Sequence, residues 1–154
     1  MLTCLVLCNE SGDLDSVACA VLLGWHETNK HQGVPALPLL PFPRADLPLK
    51  TEVIKVFKKE NLPLDHVVCL DELQLDNLHE KTDVMLVDHN VINVPQLQVL
   101  DDRVVEVYDH HKLERPVKEK KEEAEKVEVE ATGSCATIVS RKIIKERPFN
   151  KVSG

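Results

Sequence analysis

Three short clusters in this chain carry side chains able to hold a cation or move a proton. They are Asn9, Glu10, Asp13 and Asp15 in CNESGDLDS; Asp88, His89 and Asn90 in VDHN; and Asp109, His110 and His111 in YDHH. Each follows an apolar run of strand character: Leu2–Cys8, Asp83–Val87 and Val104–Tyr108. Burying such groups is costly, so three strands ending on them imply a rim where the clusters face a shared site. Several carboxylates aimed into one small volume repel each other, and each takes up a proton unless positive charge sits among them. A pair of divalent cations resolves the conflict. Carboxylates with one or two imidazoles suit Mn²⁺, and also Mg²⁺ or Co²⁺, whereas clusters without cysteine speak against structural zinc. Two such ions about 3.5–4 Å apart clamp phosphate oxygens for in-line attack, which favours phosphoester or phosphoanhydride hydrolysis.

Each cluster also has a plainer reading. NESGDLDS suits a turn with an N-cap ahead of the Val17 helix, and Asp88 suits a strand end. The adjacent histidines are harder to dismiss, because consecutive strand residues face opposite ways and only a turn brings both to one place. The three clusters together favour the shared site. His26, His31, His66 and His79 lack acidic partners at useful spacing and read as surface residues. The charged stretch 115–126, which includes KEKKEEAEK, reads as a solvated surface loop. Ser134 suits the N-cap of a final helix whose free backbone N–H groups could also accept an anion.

The elements that must position these clusters alternate along the chain. Strand candidates are Leu2–Cys8, Ala36–Pro41, His66–Leu70, Asp83–Asp88 and Val104–Asp109, with the prolines placing Ala36–Pro41 at an edge or cutting it short. Helix candidates are Val17–Trp25, Thr51–Asn61 capped by Thr51, a short Pro95–Asp101 and Gly133–Glu146. Short apolar strands separated by helices predict an α/β fold with a parallel sheet covered on both faces. In such sheets the ligand site lies outside the carboxyl ends of the strands.

Composition agrees with one soluble domain. The chain has 154 residues, 43% hydrophobic and 29% charged, and with only 3% aromatics its core must be built from Leu, Val and Ile. A net charge of −7 argues against a general nucleic-acid or anionic-membrane binder. Cys4, Cys8, Cys19, Cys69 and Cys135 are odd in number, without C-x-x-C spacing, and read as buried reduced thiols of a cytoplasmic protein. The N terminus lacks a basic region ahead of its apolar run, and no run approaches the ~20 residues of a membrane span.

Taken in order, the motifs resemble those of the DHH phosphoesterase superfamily, which includes family II inorganic pyrophosphatases, RecJ-type exonucleases and exopolyphosphatases. N-x-x-x-D-x-D is present as Asn9, Asp13 and Asp15, V-D-H as Val87, Asp88 and His89, D-H-H as Asp109, His110 and His111, and the fourth motif as the Gly133-Ser134 helix start. Within the superfamily, CNESGDLDS and LPLLPFPRADLPLKTEV most resemble the prune and eukaryotic exopolyphosphatase branch. The resemblance implies a three-layer Rossmann-like DHH domain, of which 1–154 would be the N-terminal portion. It also implies a further Asp ligand and a second, basic domain beyond Gly154.

By the same resemblance, Asp13 and Asp88 would hold one Mn²⁺ (or Mg²⁺ or Co²⁺), and Asp15, Asp88 and His110 a second, with Asp88 bridging. Asn9 stands where pyrophosphatases have a histidine ligand, and a carboxamide binds more weakly. His111 would contact the substrate phosphate or assist its leaving group, Ser134 would lie at the anion-accepting helix start, and Asp109 would orient the histidines. The implied activity is hydrolysis of short-chain polyphosphate, with cyclic-nucleotide phosphodiesters as a further substrate class. Such a chain would be weak or inactive alone, with protein partners reached through regions outside it. The alternative is a non-catalytic short isoform serving as a protein-binding module. A DHH-type nuclease fits least, because the chain is acidic and shows no basic aromatic groove.

Overall fold

An all-apolar tetrapeptide has no face to turn to water, so as a strand it must be covered on both sides. The computed structural model, which describes residues 3–31, 34–78, 82–116 and 125–146, places such a strand at the centre. This is β1 (Cys4–Leu7), buried at all four positions. Around it lie β2 (Ala36–Leu40), β3 (Val68–Cys69), β4 (Asp83–Val87), β5 (Val104–Asp109) and β6 (Lys126–Val129). All pairings are parallel, in the order β3-β2-β1-β4-β5-β6.

Alternation along the strands divides the core in two. Cys4, Val6, Met85, Val87 and Tyr108 pack with the helices α1 (Leu14–Lys30), α2 (Thr51–Lys59) and α3 (Cys135–Glu146). Leu5, Leu7, Val84, Leu86 and Val107 pack on the opposite face, against Leu97 and Leu100 of a 3-10 segment, Pro95–Arg103. The fold is therefore α/β with a six-stranded parallel sheet between two covering layers, as expected of a Rossmann-like domain.

Several local expectations change. The proline-bearing strand β2 is not at an edge but lies between β1 and β3. The Cys4 and Cys8 amides donate to the carbonyls of Pro35 and Leu39, so odd-numbered β2 residues face β1 and Pro38 faces away. On that side β3 begins only opposite Leu39, so the missing N–H of Pro38 breaks no ladder bond. The His66–Leu70 strand shrinks to two residues because Leu64–His66 forms a 3-10 turn. Helix α1 is longer than predicted at both ends, and α2 ends at Lys59 with Asn61 left-handed at φ 53°. Thr51 is the first residue of α2 and not its cap: Lys50 holds that position without a side-chain bond. Pro95–Arg103 is a 3-10 segment.

The flanks of the charged stretch are structured. Residues 117–124 lie outside the described residues; at the near end Arg115 is buried and pairs with Asp101 and Glu125, both at 2.5 Å, while Lys126 at the far end is exposed. Lys126 opens β6, a strand hidden from the pattern by its KVEV sequence. His26 is likewise buried, 2.8 Å from Glu146. His31 and His66 are exposed as expected, and His79 lies outside the described residues. All five cysteines are free and buried.

Candidate metal centre

Chain order reverses beside β1, whose crossover leads to β2 on one side while β4 joins it on the other. Connections leaving neighbouring strands in opposite directions open a crevice at their carboxyl ends. Asn9 follows β1 and Asp88 follows β4 at this point, and Asn9 Nδ2 donates to Asp88 Oδ2 at 2.8 Å. The next strand, β5, delivers Asp109, His110 and His111 to the same rim.

Asp88 is 3% exposed and left-handed at φ 63°, a backbone region that costs a non-glycine residue about 1–3 kcal/mol. Its amide donates to the Tyr108 carbonyl at 2.9 Å, so the turn is tied to β5. Its Oδ1 is buried without a hydrogen-bond donor. The nearest polar atom on the His110 ring is Nε2, at 3.0 Å. The other ring nitrogen, Nδ1, lies 3.0 Å from the Thr132 carbonyl, which only accepts, so Nδ1 carries the proton. In neutral His110 a nitrogen lone pair thus faces a carboxylate lone pair. Burial, followed by repulsion from Asp15 and Asp13, pushes the Asp88 carboxyl up to about 6, against smaller pulls from His110 and His111.

Asp109 is fully buried, and one of its oxygens organises the turn that follows. That oxygen accepts from the His110 amide at 2.8 Å, the His111 amide at 3.2 Å and His111 Nδ1 at 2.7 Å. Burial would raise this carboxyl, but bonds from His111 and Asn90 outweigh it and hold it below the usual range. In return, the bond to Asp109 raises the His111 imidazole above its ordinary value. His111 remains largely exposed, and Asp88, His110 and His111 each bring one ligand atom within 4.8 Å of the others. An orphaned carboxylate oxygen beside two imidazoles is a donor set that fits a divalent cation such as Mn²⁺.

The remaining sequence-predicted residues are close by but engaged elsewhere. Asn9 Oδ1 accepts from the Gly12 amide at 3.0 Å and Ser11 Oγ at 2.8 Å. Asp13 caps α1, accepting from the Ser16 amide at 3.0 Å, and also accepts from Ser11 Oγ at 2.9 Å. Burial would raise the Asp13 carboxyl, yet these bonds hold it below its ordinary value. Asp15 sits on the N terminus of α3, accepting from Ser134 Oγ at 2.7 Å and from the Cys135 and Ala136 amides at 2.9 and 3.1 Å. The anion expected at that helix start is thus supplied by the chain itself. His89 is half-buried, bonds the Val87 carbonyl through Nδ1, and is pushed down by burial.

A cavity of about 550 Å³ opens beside the cluster, lined by Asn9, Asp88, His89, Asp109, His111 and Lys112 among others. The sequence placed Asn90 in the second cluster without a specific role, and it is buried between Asp109 and the Lys112–Arg115 backbone. Its place directly after Asp88-His89 was the available signal, but its partners lie 19 to 25 residues away.

A parallel sheet whose switch-point crevice gathers carboxylates and imidazoles defines an α/β domain with a donor set able to hold a divalent cation. The chain matches the DHH family, N-terminal domain, over residues 3–152, and it belongs to that family. It is 33% identical over 147 residues to human exopolyphosphatase PRUNE1, covering 93% of this chain and 31% of that protein. The bovine exopolyphosphatase PRUNE1 gives the same identity and coverage. A putative exopolyphosphatase of Schizosaccharomyces pombe is 30% identical over 134 residues, covering 86% of this chain and 34% of that protein. The chain thus spans about a third of the length of these relatives. Among the described residues no helix is long and apolar enough to cross a membrane.

Proposed function

We propose that this chain is the cation-holding domain of a metal-dependent phosphohydrolase of the prune and exopolyphosphatase type, acting on phosphoanhydride bonds of short-chain polyphosphate in the cytoplasm. The observation that carries the reading is Asp88 Oδ1, buried, without a hydrogen-bond partner and 3.0 Å from His110 Nε2. Together these two atoms would hold Mn²⁺, or Mg²⁺ or Co²⁺. A cation is also what brings a polyanion to a centre built from Asp13, Asp15, Asp88 and Asp109 on a chain of net charge −7.

When bound, such a cation supplies Lewis-acid polarisation of a phosphoryl oxygen and a lowered pKa for attacking water. The residues of the chain do the rest. Asp88 and His110 would hold the cation. His111, raised by Asp109 and exposed to the cavity, keeps a proton available for the departing phosphate oxygen. Asp109 fixes the tautomer and direction of His111. Asn9 steadies Asp88 through Nδ2 and enters as a ligand only if its Oδ1 leaves Ser11 and Gly12. Asp13 and Asp15 would hold a second ion, and in the metal-free chain each is engaged at a helix N terminus. Ser134 acts through Asp15, to which its hydroxyl is committed.

The test is Mn²⁺ calorimetry on the 154-residue chain in parallel with phosphate release from tripolyphosphate. Saturable binding that disappears in Asp88→Ala is expected. A folded wild-type chain that binds no Mn²⁺ would overturn the centre, and Mn²⁺ binding without phosphate release would confine the chain to the holding of the ion.

A further inference from the structure

Asn90 is 4% exposed, and its amide group is fully used. Nδ2 donates to Asp109 Oδ2 at 2.5 Å and to the Lys112 carbonyl at 3.0 Å. Oδ1 accepts from the Glu114 amide at 2.8 Å and the Arg115 amide at 3.1 Å. Two N–H groups and two lone pairs are the whole capacity of a carboxamide. One side chain therefore joins the acid that aims His111 to the backbone of the segment leaving the histidines. That segment is anchored at its far end by the buried guanidinium of Arg115, which reaches Asp101 and Glu125.

We propose that Asn90 is the positioning residue of this centre, fixing the Asp109 carboxylate and the Lys112–Arg115 backbone so that His111 stands beside Asp88 in one orientation. The proposal deepens, and rests on, the reading of the site as a cation centre. Asp109 Oδ1 is taken up by the two histidines, so Oδ2 decides how the carboxylate plane is set, and Asn90 is the donor on Oδ2. A neutral amide suits this position. A lysine or arginine would satisfy Asp109 equally well but would place a fixed positive charge next to the cation the site is built to hold. His111 has an exposed ring, and without a fixed acceptor on Nδ1 it would spread over several rotamers.

The experiment uses ¹⁵N-histidine NMR on the metal-free 154-residue chain, with Mn²⁺ calorimetry on the same samples. In the wild type, the His111 Nδ1 proton should appear downfield and exchange slowly, and the Asn90 side-chain amide protons should be protected from solvent. In Asn90→Ala the His111 signal should be lost. Asn90→Asp is the companion variant. It retains acceptors for Glu114 and Arg115 but sets a carboxylate against Asp109, and should lose the same signal. Persistence of the His111 signal in either folded variant would overturn the proposal. Solvent-rate exchange of the Asn90 amide in the wild type would overturn it without any variant. A wild type that binds no Mn²⁺, yet loses the His111 signal on substitution of Asn90, would uphold the positioning role and refute the cation centre instead.

Discussion

Replacing Asp88 by asparagine should stabilise the metal-free protein while abolishing its response to metal. In the wild type the Asp88 carboxyl is lifted from 3.8 to about 6, so its ionised form is disfavoured in the fold by about 3 kcal/mol. A carboxyl with a raised folded-state value contributes stability below about pH 4, and that contribution is lost as pH rises through about 6. An asparagine at this position has nearly the same volume and no charge to lose. Its NH₂ would face the His110 Nε2 lone pair now opposed to Oδ1, and its oxygen would accept from Asn9 in place of Oδ2. Urea unfolding in EDTA should therefore show Asp88→Asn more stable than wild type by about 2–3 kcal/mol at pH 7.5 and by about half that at pH 5. Mn²⁺ at 1,000 times its Kd should reverse the ranking, since a ligand at that excess stabilises only the form that binds it, by about 4 kcal/mol. A variant equal to or weaker than wild type in EDTA at pH 7.5 would refute the argument that Asp88 is an unsatisfied charge awaiting a cation.

Two further outcomes follow from packing away from the cation. Gly12 has φ +55°, and a Cβ added there would clash with Phe42 Cε1, so Gly12→Ala should cost about 1–3 kcal/mol in urea unfolding and displace the Asn9–Gly12 loop. Wild-type stability in that variant would mean Phe42 does not pack beneath the loop. The Lys142 side chain is 2% exposed among Glu27 at 3.0 Å, Glu146 at 2.8 Å and Glu106 at 3.7 Å. Lys142→Met should cost about 3–5 kcal/mol by leaving Glu27 buried without its closest cation. Adding Glu27→Gln to that variant should recover part of the loss, and strict additivity would show that the two side chains do not interact.

The fold was legible in the sequence wherever a local pattern decided it. CLVL, DVMLV and VVEVYD are strands because runs of apolar or β-branched residues bounded by polar turns have few other uses, and their parallel pairing follows from the helices between them. β6 was missed because KVEV continues a charged run, and its strand character comes from pairing with β5 and not from composition. Pro38 misled for a related reason: a proline is excluded only from positions whose N–H the ladder needs, and which side each β2 residue faces is set by register with β1.

The candidate site divides in the same way. Strand-end placement of Asp88, Asp109, His110 and His111 was readable from the alternation of a few residues on either side, and with it the chemistry that such side chains support. Which atoms meet was not. Asn9 reaches Asp88 across 79 residues, Asp15 reaches Ser134 across 119, and His26 reaches Glu146 across 120. The sequence by itself determined that carboxylates and imidazoles would gather at one sheet edge, because strand period and chain direction are local properties. Only the tertiary structure decided that Asp15 would close the α3 N terminus, that Asn90 would bind both Asp109 and the segment after His111, and that Asp88 would keep one oxygen unpaired. Those outcomes depend on distances between separate elements, and packing of the finished sheet and helices is what sets them.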